Sequence, residues 1–333
     1  MAEFISSFIT GFQEVVQSDL TTRFPKIKIL NLMEGLIHYR FDGDSRELEK
    51  IIYFNNTFFV LKTMKGKGLN FNSLVGAVTS AKNYFLVNKG SFRIRFVQEN
   101  QFAKVDKALT RRAEDYVLAN SKLKLDRLSP TNEVWFSIRR EGFAFCGELI
   151  SKREFTEKNL NKGELRPEIA YFICCFADIS PEDTILEPFC GYGSIPTQLA
   201  KKFRFKKLYI SDIEEEKVVV TKARKQINQA PEGLIDCRAA DAMDLSHIED
   251  KSINLVITDP PWGFYEDIGD ISDFYKKTFK SLDRVLADQG RMVILSARKE
   301  ELEQTAAAAG FKIKKSLHTL VNGKKAGLYF IER

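Results

Sequence analysis

From residue 184 to residue 296 the chain repeats one pattern, a short apolar run followed by a longer stretch with helical spacing. The apolar runs cover 184–187, 207–211, 234–238, 254–258 and 291–296. Alternation of this kind puts each strand between helices and produces a mostly parallel sheet covered on both faces. The end of the chain differs, because residues 311–320 and 327–331 flank Asn322-Gly323, a strong signal for a tight hairpin. The sheet is therefore expected to close with an antiparallel pair, giving an α/β, Rossmann-like domain over 165–333.

The 160 or so residues before it read differently. Residues 1–60 suggest a small α+β unit: a helical pattern through Phe8, Phe12, Val15, Val16 and Leu20, strands at 27–32 and 36–41, and a second helix from Ser45. Residues 61–75 are rich in Gly and Lys and read as a loop, with a helix expected from 76 to about 86 and a charged helix at 103–119. Strands are expected at 92–97, 134–140 and 143–150. Domains are placed at 1–60, 61–155 and 165–333, with a linker at 156–164 around the Asn161-Lys162-Gly163 turn. Ala306 to Ala309 reads as a plain helical surface.

Charge adds a constraint on partners. The net charge of +6 is not spread evenly: residues 61–163 carry +10 and the segments on either side −2 each. A basic middle third points to a polyanion. No apolar run approaches the roughly 20 residues that span a bilayer. No basic residue precedes Arg23, so a secretory leader is not expected, and a cytoplasmic protein is. The five cysteines form no CxxC, and neither zinc nor a disulfide framework is expected; none of His38, His247 and His318 falls in a motif.

Three corners of the α/β domain carry chemistry. In Glu187-Pro188-Phe189-Cys190-Gly191-Tyr192-Gly193 the glycines let the first strand-to-helix turn lie against a nucleoside. Pro196 stands where a dinucleotide fingerprint needs its third glycine, which disfavours NAD or FAD. Asp212, with Ile213 beside it, ends the second strand where a carboxylate can accept from ribose hydroxyls; Asp241, next to Ala242, follows the third strand and can meet an exocyclic amine. Both aspartates also suit plain helix caps. The sharpest signal is Asp259-Pro260-Pro261-Trp262 after the fourth strand. Two prolines fix the backbone and remove its donors, leaving carbonyls and a carboxylate to receive an NH2 group beside the flat Trp face.

These residues resemble the class I S-adenosylmethionine-dependent methyltransferases of the amino-directed (D/N)PP(Y/F/W) group, from about Leu165 to Arg333. The resemblance implies a seven-stranded methyltransferase sheet. It implies that Glu187 and Cys190, Gly191, Tyr192 and Gly193 hold the methionine part of S-adenosylmethionine, with Asp212 on its ribose and Asp241 at its adenine. The target amine then falls to Asp259, Pro260, Pro261 and Trp262; Trp at 262 stands where Tyr is commoner. Residues 61–155 resemble a THUMP RNA-binding domain, on Phe92-Arg93-Ile94-Arg95-Phe96, the charged helix, and the strand pair that holds Arg139 and Arg140. Residues 1–60 are similar to the ferredoxin-like domain that precedes it. Gly163-Glu164-Leu165-Arg166-Pro167 resembles the tRNA guanine-N2 methyltransferases that act at position 6 of the acceptor stem. RNA contacts are expected from Arg93, Arg95, Lys104, Arg111, Arg112, Arg139 and Arg140. The same corner suits other amines: another guanine of tRNA or rRNA, adenine N6, or a protein glutamine. A non-catalytic RNA-binding protein with a retained cofactor pocket is the reading from a different class.

Overall fold

The computed structural model describes residues 2–153, 160–264 and 268–333. Residues 154–159, the end of the second expected domain and the start of the expected linker, lie outside the described residues. The chain divides into two compact units, one of Met1–Phe8 with Leu20–Glu154 and one of Ile9–Asp19 with Phe155–Arg333.

The first unit is built on a single nine-stranded sheet. Its elements are β1 (Ala2–Ser7), β2 (Lys28–Met33), β3 (Leu36–Phe41), α2 (Ser45–Glu49), β4 (Asn56–Lys65), α3 (Phe71–Thr79), β5 (Ser91–Gln98), β6 (Gln101–Phe102), α4 (Lys107–Asn120), β7 (Lys124–Leu125), β8 (Asn132–Arg139) and β9 (Phe143–Lys152); helix α1 (Gln13–Arg23) crosses the division. Strand order is β2-β3-β1-β4-β9-β8-β5-β6, with β7 on β5. The boundary expected at residue 60 falls inside β4, which pairs antiparallel with β1 along its first half and with β9 along its length. The stretch expected as a loop at 61–75 holds the end of that strand and the start of α3. Leu61 and Met64 pack on the core of β5, β8 and α3, and only the Gly66–Gly68 corner stays a turn. The strand β1 was not expected either. It lies mid-sheet, with Phe4 and Ile5 buried.

The helix expected to reach residue 86 stops at Thr79, and a buried acid explains how the following backbone is satisfied. Glu148 accepts from Leu86 N (2.6 Å) and Val87 N (3.1 Å), replacing the helical partners of those amides. Burial pushes its carboxyl up to about 7, against the pull of those two N–H groups.

The second unit contains α5 (Pro167–Phe176), β10 (Thr184–Glu187), α6 (Ser194–Lys202), β11 (Lys207–Asp212), α7 (Glu215–Ala223), α8 (Lys225–Asn228), β12 (Ile235–Ala239), β13 (Ile253–Thr258), α9 (Ile271–Val285), β14 (Leu286–Ser296), α10 (Lys299–Ala308), β15 (Lys312–Val321) and β16 (Lys324–Glu332). Its seven strands run β12-β11-β10-β13-β14-β16-β15. The first five are mutually parallel, and β16 lies antiparallel to both β14 and β15. This is the α/β class and terminal hairpin expected from the sequence. Core residues Leu186, Val256, Phe279, Leu282, Met292, Ile294 and Tyr329 join sheet and helices. Ala306, expected on an open helical surface, is buried in that same core, where a small side chain lets α10 approach the sheet closely. The N-terminal segment of this unit is stitched down as well: Phe12 stacks on Phe172 at 4.4 Å, and Thr319 Oγ1 donates to Thr10 O at 2.8 Å. Strand order reverses between β10 and β13, so the carboxyl ends of β10, β11 and β13 open on one crevice, the usual ligand position in such sheets.

Candidate active site

The turn after β10 is shaped by glycine and clamped from three sides. Gly191 and Gly193 have φ of +51° and +83°, a left-handed backbone that disfavours side chains. A Cβ on Gly193 would also stand 2.8 Å from Thr221 Oγ1, whereas one on Gly191 would meet nothing within 4 Å. The open side is thus that of Gly191. Behind the turn, Thr221 Oγ1 donates to Gly191 O (3.0 Å) and Arg224 Nε donates to Tyr192 O (3.0 Å); Arg224 is ion-paired to Glu164. In front, Gly191 N donates to Asp212 Oδ2 at 2.8 Å.

Asp212 also accepts from Glu214 N (3.0 Å), so one carboxylate ties the end of β11, the start of α7 and the glycine turn together. Burial raises its pKa, and the two backbone N–H groups oppose that rise. Each oxygen keeps a further lone pair, which is what the vicinal hydroxyls of a ribose need. The next residue, Ile213, is left 68 % exposed at the strand end. After β12, Asp241 Oδ1 accepts from Met243 N (2.8 Å), closing a turn, and the carbonyl of buried Ala242 accepts from Ser281 Oγ. Buried Cys190 donates its backbone N–H to Ser211 O. The structure therefore brings Glu187, the glycine turn and Asp212 onto adjoining strand ends, with Asp241 following β12 at the sheet's edge.

A second constellation closes the corner between β10 and β13. Glu187 is fully buried; its Oε1 accepts from Thr258 Oγ1 (2.6 Å) and Phe189 N (3.1 Å), and its Oε2 has no partner among the described residues. Burial, with the neighbouring carboxylates Asp259 and Asp212, holds it well above the usual carboxylate range. Burial likewise pushes Asp259 up to about 7, and the nearby Trp262 N–H opposes this. Asp259 Oδ1 and Trp262 Nε1 nevertheless complete no hydrogen bond, with each other or with any other described residue. A buried acceptor and a buried donor side by side suit a flat ligand that offers an N–H and a lone pair on adjacent positions. The Trp262 carbonyl is fixed from behind by Arg298 Nε at 2.8 Å, and Arg298 N in turn donates to Ser296 Oγ at 2.9 Å.

The basic residues of the first unit split into two sets. Arg93 pairs with Glu133, Arg95 lies 3.6 Å from the same carboxylate and over the Phe102 ring, Arg112 donates to Thr79 Oγ1, and Arg139 pairs with Glu141 and donates to Glu34 O. These cations are already engaged. Lys104, Arg111 and Arg140 are exposed. Arg140 borders a cleft of about 600 Å³, whose rim also includes Lys67 and Gln98.

Several residues of this geometry had no signal in the sequence. Thr221 and Arg224 reach the glycine turn from about 30 residues away, and Arg298 reaches Trp262 across 36; Glu164, part of the Gly163–Pro167 stretch already singled out, acts through Arg224. Thr258 adjoins the Asp259 corner and could have been noticed as the hydroxyl that ends β13. Among the described residues no group of three or more His, Cys, Asp or Glu is placed to hold a metal ion.

Residues 153–326 match the family model described as UPF0020, RMKL-like, methyltransferase domain. A tRNA (guanine(6)-N2)-methyltransferase of Archaeoglobus fulgidus is 21% identical over 94% of this chain and 87% of its own. One of the same description from Methanocaldococcus jannaschii is 20% identical, over 96% and 97%. The crystal structure of TrmN from Thermus thermophilus superposes over 100% of both chains with a TM-score of 0.79 at 18% identity, a likeness of fold.

Proposed function

The chain belongs to the RMKL-like methyltransferase family, and from that premise we propose that it methylates the exocyclic N2 amine of a guanosine in tRNA, at position 6 of the acceptor stem. The observation that carries this reading is the donor-poor corner with a buried acceptor, Asp259 Oδ1, and a donor, Trp262 Nε1, that have no partner among the described residues. A guanine N2 amine lies beside the acceptor N3, so it matches both. The choice of tRNA and of position 6 leans on two relatives so described, each aligned along nearly the whole of both chains.

The methyl donor is S-adenosylmethionine, whose sulfonium supplies an electrophilic methyl group. The residues present fit it: the open face at Gly191 receives the methionine part, Asp212 has lone pairs for the ribose hydroxyls, Asp241 stands at the adenine end, and Cys190, Tyr192 and Ile213 border the site. The protein's part in the reaction is alignment, which in well-oriented systems is worth about 7–11 kcal/mol. Asp259 and the Pro260 carbonyl accept from the amine and fix its lone pair in direction, with Pro261 holding the backbone and no N–H competing. The Trp262 Nε1–H donates to the neighbouring guanine N3. As the new bond forms the amine becomes acidic, and the Asp259 carboxylate, with its pKa near 7, takes that proton.

A base paired within a stem must leave its stack to reach this corner, at a cost of a few kcal/mol that RNA contacts elsewhere offset. We assign those contacts to the first unit, read as a ferredoxin-like half and a THUMP half, with Lys104, Arg111 and Arg140 the cations free to meet phosphates. None of the described helices is long and apolar enough to cross a membrane, and we place the protein in the cytoplasm with its tRNA. The test is to incubate it with labelled S-adenosylmethionine and unmodified tRNA, digest, and identify the product. N2-methylguanosine at position 6 is expected. N6-methyladenosine, label confined to protein, or cofactor binding without transfer to any RNA would overturn the assignment.

A further inference from the structure

Three loops distant in sequence meet beside Trp262, and two of the residues they bring, Phe264 and Lys324, have no part in the pocket described above. Phe264 follows the Asp259–Trp262 corner and stands edge-on to Trp262, ring centroids 6.4 Å apart. Arg298, from the turn after β14, lies 4.7 Å from the centre of the Phe264 ring; Lys324, at the β15–β16 hairpin, lies 4.9 Å from it. Phe264 remains 42 % exposed. The rim of the reaction site thus presents an open aromatic face with two cations beside it, the pairing that receives a flat base and its phosphate.

The two cations are not equivalent. Arg298 is held by its hydrogen bond to the Trp262 carbonyl and lies 3.7 Å from Glu301. Lys324 is exposed and makes no ion pair among the described residues, so its ammonium is free to leave the ring for a phosphate. We propose that Phe264 and Lys324 form a subsite for the nucleotide adjoining the methylated one: its base stacks on Phe264 and its phosphate draws Lys324 away. Arg298 serves as the positioning residue, locking the subsite to the Trp262 carbonyl. The proposal deepens the RNA-methylating reading and rests on it. The chemistry is that of single-strand recognition, an aromatic face plus a mobile cation, and it suits a base extruded with its neighbour partly unstacked.

The test compares wild type with Phe264→Ala, Phe264→Leu, Phe264→Tyr and Lys324→Ala. It measures KM and Kd for unmodified tRNA, Kd for S-adenosylmethionine, and Tm. Phe264→Ala should raise KM and Kd for tRNA about 5- to 100-fold, with cofactor affinity and Tm unchanged. Phe264→Tyr should restore both, and Phe264→Leu, apolar but not flat, should not. Lys324→Ala should reduce the slope of log affinity against log salt by about 0.7 to 0.9, the loss of one phosphate contact. Equal tRNA affinity in wild type and Phe264→Ala would overturn the subsite, as would a parallel loss of cofactor binding or full rescue by leucine. Failure of the wild type to label any RNA would instead overturn the function it rests on, and the tRNA-binding arm still judges the subsite by itself.

Discussion

Replacing Asp259 with Asn should make the protein more stable above neutral pH while impairing it as an enzyme. In the folded protein burial pushes this carboxyl from an ordinary 3.8 to about 7. Between those values the folded state keeps a proton that the unfolded chain has released, so this group's contribution to stability falls as pH rises through that window and is fully lost above 7. The rise of about three pH units, at about 1.36 kcal/mol each, sets a ceiling of about 4 kcal/mol. Asp259 as a whole is half-buried although Oδ1 itself is sealed, so relaxation and nearby water should reduce the realised penalty to about 1–3 kcal/mol. At about 2–4 °C per kcal/mol, Asp259→Asn should raise Tm by about 2–12 °C at pH 8. The gain should vanish by about pH 4. Thermal unfolding of the two cofactor-free proteins across pH 4–8 measures this directly. Asn also keeps an oxygen for the amine but provides no proton sink, so the variant should lose the rise in turnover through pH 7 expected of wild type. A Tm difference independent of pH, or a variant less stable at pH 8, would refute the burial argument.

Two further outcomes follow from the geometry. Asp212→Ala removes the acceptor of Gly191 N and Glu214 N together with the carboxylate assigned to the ribose; calorimetry should show S-adenosylmethionine affinity down at least about 10-fold, and near-normal affinity would leave Asp212 only its clamping role. Arg291 pairs with buried Asp183 at 2.7 Å and also caps the carbonyls of Ala177 and Asp178. Breaking such a pair from one side costs about 3–5 kcal/mol, so Arg291→Ala should lower Tm by several degrees without changing tRNA affinity in the folded protein, and an unchanged melting curve would contradict it.

The α/β domain was legible because its determinants are local. Apolar runs such as residues 254–258 can only be strands once helices alternate with them, glycine at 191 and 193 announces a left-handed turn, and Asn322-Gly323 fixes the hairpin between β15 and β16. The Asp259-Pro260-Pro261-Trp262 corner was readable for the same reason, since proline restricts its own backbone wherever it stands. The first unit was harder. Val60 to Lys65 is strand because β9 pairs with it, and the mixed composition of residues 61–75 carries no trace of that partner. The basic residues show the same limit: sequence counts Arg93 and Arg139 as available charge, and only the fold sets Glu133 and Glu141 against them while leaving Arg111 open. What tertiary structure alone decided is therefore which groups are left over. Asp259 Oδ1 and Trp262 Nε1 are without partners among the described residues, and Phe264 comes to lie under Arg298 and Lys324, because strands β13, β14 and β16 end or begin side by side. Satisfaction of a polar or aromatic group is a property of its surroundings in space, and no window of sequence contains them.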